Sequence, residues 1–294
     1  MPELSYLPLP DGPTHIADFG GEGENVLLLH GLGGSHVNWL AVGDQLRKLG
    51  RVVAVDLPGF GFTPPRRGYS LEIHRRTVEQ VCDHLGSPAL LVGNSMGGLV
   101  AELQAAARPE QTRALVLVSP AGPPPPGPNR VDPAIAARLF IQALPGLGPA
   151  YIRRWTDRRS PDQQVWHTLG MVCANRSAVP DYLIAASTKM AVARRQMPWS
   201  VEALSASGRA IGIFIARRQR FTELIRSITA PALIIQGVSD KVVTTDSVRW
   251  LASLRPDWRH IEMEGTAHCP QFDAGPRFVR EVLSWAADQV ATKG

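Results

Sequence analysis

Six short runs of apolar residues alternate along the chain with longer segments that are compatible with helices. Segments such as 70–85, 97–107 and 275–289 are each long enough for a crossover helix. Continuous apolar runs are typical of strands that are buried on both faces of a parallel sheet. The alternation therefore predicts an α/β fold with a doubly wound, mostly parallel sheet. The runs are VLLLH (26–30), VVAVD (52–56), ALLVG (89–93), ALVLVS (114–119), ALIIQG (232–237) and HIEM (260–263).

One stretch interrupts this alternation. After Ser119 and Pro120 comes Ala-Gly-Pro-Pro-Pro-Pro-Gly-Pro, which can form neither a helix nor a central strand and predicts a semi-rigid linker. From about 129 to 228 the sequence is helix-compatible and has no good strand. We therefore predict a core domain of residues 1–120 and 229–294, with a helical segment at 121–228 inserted into it. Its arginine pairs are predicted to lie on solvated helix faces: Arg153/Arg154, Arg158/Arg159, Arg194/Arg195 and Arg217/Arg218.

Composition narrows the class of protein. With 294 residues, 44% apolar and 19% charged, the chain can bury a sizeable core. The net charge is only +5, and the basic residues are scattered through the chain without a regular alternation with aromatic residues, so we expect no nucleic-acid partner. Cys82, Cys173 and Cys269 form no C-x-x-C pair, so we expect no metal site and a reduced compartment. The N-terminus lacks the features of a secretory signal, and no apolar run reaches the roughly 18 residues of a membrane span. We expect a cytoplasmic protein without stable membrane insertion; the oligomeric state is not predicted.

The sequence Gly93-Asn94-Ser95-Met96-Gly97 begins at the last residue of the third apolar run and leads directly into a helix-compatible segment. A serine at such a sharp strand-to-helix turn requires small neighbours, and glycine meets that need. The turn exposes the hydroxyl at the carboxyl end of the sheet and at a helix N-terminus, where developing negative charge is favoured. We predict that Ser95 is a nucleophile.

A nucleophilic serine needs a base and a carboxylate that orients the base. In this architecture they should follow in the chain order Ser, Asp, His, after later strands. Asp240 follows the run ALIIQG, and His268 follows HIEM. Taken singly, Asp240 could cap a helix and His268 could be a loop histidine. Together with Ser95 they predict a catalytic triad.

A tetrahedral intermediate also needs hydrogen-bond donors for its oxyanion. The strand and glycine-rich turn in LLLHGLGGS allow a backbone N–H to approach a ligand closely. We assign the two donors to the backbone N–H groups of Leu32 and Met96. Gly31 and Asn94 are predicted to contact the substrate, and His30 is predicted to make structural hydrogen bonds in the loop.

The same loop partly imitates a dinucleotide-binding fingerprint. Counting G-x-G-x-x-G from Gly31 places His36 where the third glycine should be, and that side chain would obstruct helix–strand packing. Asp56, in the position of the ribose-binding acid, leads into the turn sequence Leu-Pro-Gly-Phe-Gly. We therefore expect no nicotinamide or flavin and no other cofactor.

With these residues in place, the chain resembles the α/β-hydrolase fold family over nearly its whole length. The resemblance implies that the helical segment, inserted after the sixth strand, is a cap that forms most of the substrate pocket. Relatives that open epoxides or remove halide carry an aspartate at the turn, so Ser95 argues against both reactions. The motifs that carry the resemblance are His30-Gly31-Leu32-Gly33-Gly34, Asp56-Leu57-Pro58-Gly59-Phe60-Gly61, Gly93-Asn94-Ser95-Met96-Gly97-Gly98, Gly237-Val238-Ser239-Asp240 and Thr266-Ala267-His268.

The leading hypothesis is a cofactor-independent serine hydrolase that cleaves a small-molecule carboxylic ester, or a related carbonyl substrate, through an acyl-enzyme. The alternative is a C–C bond hydrolase of meta-cleavage products, which are vinylogous diketones. Asn94 and the basic inserted segment favour that alternative. A shorter oxyanion loop, and Cys269 where those enzymes typically have a tryptophan, depart from its pattern.

Five further activities or roles stay open at the sequence level. The same triad could serve a lactonase, a perhydrolase or an acyltransferase. A binding module could have kept the fold without the chemistry. A lipase acting at a membrane surface could use the apolar residues 211–216 and the basic residues 217–220 that follow.

Overall fold

The structure is a computed structural model that describes residues 1–86, 88–127 and 132–291. Its strands are β1 (Glu3–Leu9), β2 (Gly12–Gly20), β3 (Asn25–Leu29), β4 (Arg51–Val55), β5 (Ala89–Asn94), β6 (Thr112–Val118), β7 (Ala232–Gly237) and β8 (Arg259–Met263). They form one sheet in the order β1-β2-β4-β3-β5-β6-β7-β8. Strands β3 to β8 are mutually parallel, and β1 and β2 pair antiparallel. The predicted mostly parallel sheet is confirmed.

The hairpin β1–β2 was not among the predicted strands. In β1 only Leu7 and Leu9 are buried, so this strand has no continuous apolar run. Pro8 lies opposite Pro13 in the register. Prolines usually indicate a loop. Pro8 is tolerated because it lies on the edge strand, and Pro13 because it precedes the residues of β2 that pair with β4.

The helices fall into two groups by their position in the chain. Those that accompany the sheet are α1 (Gly43–Leu46), α2 (Leu71–Leu85), α3 (Met96–Ala107), α10 (Thr245–Ser253), α11 (Pro270–Asp273) and α12 (Gly275–Ala291). Those that lie between β6 and β7, called here the inserted helices, are α4 (Pro133–Ala143), α5 (Leu147–Asp157), α6 (Pro161–Val172), α7 (Asp181–Arg195), α8 (Ser200–Ile215) and α9 (Arg218–Ser227).

The sheet is buried on both faces. In β3, Leu27 and Leu29 join the apolar cluster on one face, whereas Val26 and Leu28 join the cluster on the other. All four side chains are fully buried, and burying a side chain of this size contributes about 1.5–3 kcal/mol. This two-sided burial explains why the runs are continuously apolar and not alternating.

The inserted helices follow β6, the sixth strand. A third apolar cluster joins α6 and α7 to Cys269 and Phe272, which lie beyond β8. Residues 128–131, which include the end of the predicted linker, lie outside the described residues. The division into a core domain and a cap at 121–228 stays a prediction.

The described helices were also compared with the length and apolarity that a membrane span needs. No single helix among them meets both requirements, and α4 with α5, which meet at a bend of 113°, do so only as a pair.

Glu102 of α3 is a fully buried carboxyl group without a hydrogen-bond partner. Its side chain has no exposed surface, and neither carboxyl oxygen is bonded within the part of the chain that the structure describes. Burial raises the pKa of Glu102 well above its ordinary value, because the charged form is poorly solvated. In the folded protein Glu102 therefore stays protonated at a pH where the unfolded chain ionises it.

This pKa difference predicts how stability depends on pH. Above pH 4.5, the ordinary pKa of glutamate, the unfolded state releases a proton that folded Glu102 retains, so the free energy of unfolding falls as the pH rises. Glu102→Gln should remove this dependence. Relative to wild type, the variant should become progressively more stable in urea unfolding as the pH rises from 5 to 7. Any pH-independent cost of the substitution cancels in this comparison. Glu3→Gln, at an exposed carboxylate of β1, is the control, and an equal pH dependence in Glu102→Gln and wild type would contradict the prediction.

Candidate active site

The turn between β5 and α3 holds Ser95 in a strained conformation. Its φ is 55° and its ψ is −114°, values that non-glycine residues rarely adopt. A Cβ at Gly93 would overlap the carbonyl oxygen of Gly97, and a Cβ at Gly97 would overlap that of Leu29. The N–H of Ser95 donates to the carbonyl of Val118 at 2.9 Å, which ties the turn to β6. Both glycines are therefore required for this approach of helix to strand.

Asp240 and His268, which are 28 residues apart in the chain, form a buried hydrogen-bonded pair. Asp240 Oδ2 and His268 Nδ1 are 2.8 Å apart. The other oxygen of Asp240 accepts from the N–H groups of Val242 and Val243 at 2.7 and 3.0 Å. The carboxylate is thus fixed in position, and the arrangement leaves His268 Nε2 free to face a reacting group.

Ser95 and His268 line the same cavity, which has a volume of about 950 Å³. Within the residues that the structure describes, no hydrogen bond joins the Ser95 hydroxyl to the His268 ring. In unliganded enzymes such bonds are often long or poorly aligned. The structure therefore brings Asp240 and His268 into contact and places Ser95 on the same cavity wall.

The two residues predicted as oxyanion donors belong to segments that adjoin Ser95. Met96 is the first residue of α3, where backbone N–H groups have no acceptor within the helix. Leu32 lies in the turn of residues 31–34, which is closed by a hydrogen bond from the N–H of Gly34 to the carbonyl of Gly31 at 2.9 Å. A Cβ on Gly31 would lie 3.2 Å from the Cβ of Ser95, so this turn runs directly alongside the serine.

Asn94 lies against the cavity, but its amide group is already engaged. Nδ2 donates to the backbone carbonyls of Val118 at 3.1 Å and His268 at 3.0 Å, which uses both of its hydrogens. Oδ1 accepts a weak bond from the thiol of Cys269 at 3.6 Å. Asn94 therefore links the His268 backbone to the turn that holds Ser95. Direct binding of substrate by Asn94 or Gly31 stays a prediction.

Gln236 and Asn94 share a signal in the sequence that our interpretation did not use. Each is a polar residue in an otherwise apolar, buried strand, and such residues need internal hydrogen-bond partners. Gln236 Nε2 lies 3.3 Å from Asp240 Oδ2 and also donates to the carbonyl of Val243 at 2.9 Å. It therefore helps to fix the loop that carries Asp240.

His30 makes the structural hydrogen bonds that were predicted for it. The N–H of Leu57 donates to His30 Nε2 at 3.0 Å, so Nδ1 carries the proton and donates to the carbonyl of Gly31 at 2.8 Å. Burial lowers the pKa of His30 to about 4. The neutral imidazole of His30 thus connects the residues that follow β3 to the residues that follow β4.

Asp56, His15 and His36 are close enough to be considered as a metal site. The Asp56 oxygens already accept from His15 Nδ1 at 2.7 Å, from His36 Nδ1 at 3.0 Å and from the N–H of Phe62 at 3.0 Å. Burial opposes the charge on Asp56, but the hydrogen bonds from both histidines outweigh it and hold the pKa below its ordinary value. Hydrogen bonds thus hold these three side chains together, and Asp56 already serves as the acceptor for both histidines.

The inserted helices supply most of the residues that line the cavity. One of them, Arg194, does not lie on a solvated face as predicted. It is half-buried, and its Nη2 donates to the carbonyl of Gly34 at 2.8 Å. Burial lowers its pKa to about 10. The apolar part of the lining includes Leu139, Ile152, Leu169, Met190, Leu204 and Ile211.

The inserted helices are also bonded to the loop of residues 264–269, called here the His268 loop. The carboxylate of Asp273 accepts from the N–H of Ala267 at 2.8 Å and from the N–H of Ala174, beyond α6, at 3.0 Å. The N–H of Cys269 donates to the carbonyl of Val172 at 3.0 Å. These links leave no signal in the sequence, because they join residues 97 and 99 positions apart.

The fold and this site define the class of protein. Residues 24–275 match the family model described as the alpha/beta hydrolase fold, and the chain belongs to that family.

Similar proteins include both esterases and carbon–carbon bond hydrolases. The chain is 28% identical over 276 residues to the pimeloyl-[acyl-carrier protein] methyl ester esterase of Yersinia pseudotuberculosis, covering 91% of this chain and 95% of that protein. It is 26% identical to the 2-hydroxy-6-oxononadienedioate/2-hydroxy-6-oxononatrienedioate hydrolase of Cupriavidus pinatubonensis, covering 95% and 94%. The solved meta-cleavage product hydrolase of Pseudomonas fluorescens superposes with a TM-score of 0.74 at 25% identity, covering 97% and 98%. Ester hydrolysis is thus an activity of one relative, and the chain is similar to hydrolases of both kinds.

Proposed function

We propose that the protein is a serine hydrolase that cleaves a small-molecule carboxylic ester through an acyl-enzyme. Ser95 is the nucleophile, His268 the general base and acid, and Asp240 the group that orients the imidazole. The observation that carries the proposal is the buried Asp240–His268 pair, at 2.8 Å, on the cavity that also exposes Ser95. The strained φ of 55° at Ser95 supports it, because strain of this kind is concentrated at functional sites.

In the proposed reaction, Ser95 Oγ attacks the carbonyl carbon of the ester while His268 Nε2 takes the hydroxyl proton. The carbonyl oxygen becomes an oxyanion that accepts hydrogen bonds from the backbone N–H groups of Leu32 and Met96. Collapse of this intermediate breaks the ester C–O bond, and the leaving alkoxide receives the proton from His268. Water then attacks the acyl-Ser95 carbonyl by the same route and releases the carboxylic acid.

A fluorophosphonate probe tests this proposal directly, because it phosphonylates only an activated serine. We expect one probe per chain, located on Ser95 by peptide mass spectrometry. His268→Ala should slow the labelling strongly, since the hydroxyl would lose its base. Labelling of folded protein at a different serine, or none at all, would refute the role of Ser95 and would favour a binding module.

Arg194 supports a second candidate function, the hydrolysis of a C–C bond in an anionic vinylogous diketone. Among the described residues, no carboxylate forms an ion pair with Arg194. The acid whose charge acts on it, Asp56, is already held by His15 and His36. A half-buried cation without a paired anion favours a substrate that carries a carboxylate. The similarity to the Cupriavidus pinatubonensis hydrolase is the second feature that supports this candidate.

The two candidate functions are separated by substrate. A 2-hydroxy-6-oxo dienoate loses its absorbance when the C–C bond is hydrolysed, so bleaching can be followed in a spectrophotometer. If this candidate holds, Arg194→Met should raise KM for the dienoate at least tenfold and leave KM for neutral p-nitrophenyl butyrate nearly unchanged, as expected for loss of one charge-assisted contact of about 1.5–3 kcal/mol. An unbleached dienoate at high enzyme concentration would eliminate the candidate. A panel of p-nitrophenyl esters of different chain length in the same assay would define the acyl preference.

A further inference from the structure

Two arginines and a histidine surround one tryptophan on the inserted helices. The guanidinium carbons of Arg138 and Arg159 lie 5.0 and 4.8 Å from the centre of the Trp155 ring. The ring of His167 lies 5.3 Å from the same indole, and its Nε2 contacts Arg138 Nη1. Three helices bring these residues together, because Arg138 is on α4, Trp155 on α5 and His167 on α6. We call these four residues the Trp155 cluster.

The cluster concentrates basic groups without a matching acid. Within the described ranges, no carboxylate oxygen lies within 4.0 Å of a nitrogen of Arg138, Arg159 or His167. Burial and the charge of Arg159 lower the pKa of Arg138, and burial with the charges of both arginines lowers that of His167. Such an arrangement costs electrostatic free energy unless an anion binds to it.

The inserted segment, residues 121–228, which contains the Trp155 cluster, also carries a net positive charge. Residues 121–228 contain 15 Lys and Arg but only six Asp and Glu, although the whole chain has a net charge of only +5. The rest of the chain is therefore net acidic. A positive field confined to the inserted segment attracts anions toward this side of the molecule.

The Trp155 cluster is part of the wall of the active-site cavity. Arg138 and Trp155 line the same space as Ser95 and His268. His167 is exposed and Arg159 is half-buried, so the cluster also reaches the solvent. One substrate molecule in this cavity would thus place one of its groups on the cluster and its reacting bond at Ser95.

We propose that the Trp155 cluster is a binding site for a phosphate group carried by the substrate. A carboxylate matches the fork of a single guanidinium, whereas a phosphate presents enough oxygens for two arginines and an imidazole at once. Stacking on Trp155 holds both guanidinium groups, which reduces the entropy lost when they bind an anion. The proposal rests on the proposed function in one respect, that the molecule in the cavity is the substrate of Ser95.

Octyl phosphate and 1-octanol are a matched pair of probes, because they differ only in the phosphate. Each would be titrated by calorimetry into the Ser95→Ala protein, below the concentration at which micelles form. We expect octyl phosphate to bind at least tenfold more tightly than octanol. Arg138→Met and Arg159→Met, which keep an apolar stem on the indole, should each weaken octyl phosphate binding about tenfold and leave octanol binding unchanged.

Arg176→Met is the matched control, because Arg176 stacks on a different tryptophan of the inserted segment, Trp166, at 5.6 Å. It should not change octyl phosphate binding. An equal loss of affinity in Arg176→Met and the cluster variants would overturn the proposal, since it would reflect the general positive field. Equal affinity of the Ser95→Ala protein, with its Trp155 cluster unchanged, for octyl phosphate and octanol would also overturn the proposal. Thermal unfolding by circular dichroism verifies that each variant is folded.

Phosphate groups also occur at membrane surfaces, so a second arm uses vesicles of phosphatidylglycerol. Binding of the protein to vesicles, without binding of monomeric octyl phosphate, would overturn the assignment to a substrate. Both arms measure binding without turnover. Failure of the cluster site therefore appears in the titration, whereas failure of the proposed hydrolase function appears in the fluorophosphonate labelling.

Discussion

Ser95→Ala is expected to lower kcat for p-nitrophenyl butyrate by a factor on the order of 10⁶. The hydroxyl is the only protein group in the proposed mechanism that forms a bond to the substrate carbon, and alanine cannot replace it. The oxyanion donors and the cavity would remain, so a small rate above that in water should persist. KM should change little, because the variant keeps the contacts that bind the ester in its ground state.

Ser119 provides the control for this substitution. It follows β6, and it is the other non-glycine residue with positive φ, 44°, among the described residues. Its buried hydroxyl has no hydrogen-bond partner in the described part of the chain. Ser119→Ala should therefore leave kcat unchanged, although it alters a serine with similar backbone strain. A Ser95→Ala protein that keeps more than about one thousandth of the wild-type kcat would contradict the covalent mechanism.

Asp240→Asn is expected to lower kcat by a factor on the order of 10⁴. The Asp240 carboxylate accepts from His268 Nδ1, and thereby places the imidazole proton on the side away from Ser95. An asparagine amide that donated to Nδ1 would favour the opposite tautomer, in which Nε2 carries the proton and cannot act as a base. The backbone donors Val242 and Val243 would hold the amide oxygen where Asp240 Oδ1 now lies, which makes this wrong orientation of the amide the stable one.

The pH dependence of the Asp240→Asn variant gives a second measurement. If the loss arises from the tautomer, hydroxide at high pH should restore part of the rate, because it can accept the serine proton in place of His268. Asp257→Asn is the control, since Asp257 is an exposed carboxylate paired with Arg255 on the surface. A tenfold loss or less in Asp240→Asn would mean that another group orients the imidazole.

The parallel part of the sheet was predictable because burial on both faces leaves a strong pattern in the sequence. Leu27 and Leu28 pack on opposite faces, so neither can be polar. The hairpin β1–β2 was not predictable from that pattern, since only Leu7 and Leu9 of β1 are buried. An edge strand is stabilised by its backbone hydrogen bonds to a neighbour, and such bonds require no particular side chain.

The candidate site was predictable to the extent that chain order and strand ends determine it. Asp240 and His268 each follow a parallel strand, and the carboxyl ends of neighbouring parallel strands meet at one edge of the sheet. The surroundings of these residues were not predictable in the same way. Arg194 belongs to an arginine pair that suggested a solvated face, and only the packing of α7 against the turn at 31–34 brings its guanidinium to Gly34.

The bonds between the inserted segment and the His268 loop limit how new substrate preferences could be obtained by exchange of helices. Asp273 and Cys269 hold residues 172–174 through backbone groups, so a transplanted segment need not match this sequence but must reproduce its path. A donor segment that ends α6 one residue early or late would leave the N–H of Cys269 without its acceptor, directly beside the base. Such chimeras are thus expected to lose turnover through a displaced imidazole even when the new pocket accommodates the ester, and keeping residues 172–175 of the recipient should prevent that loss.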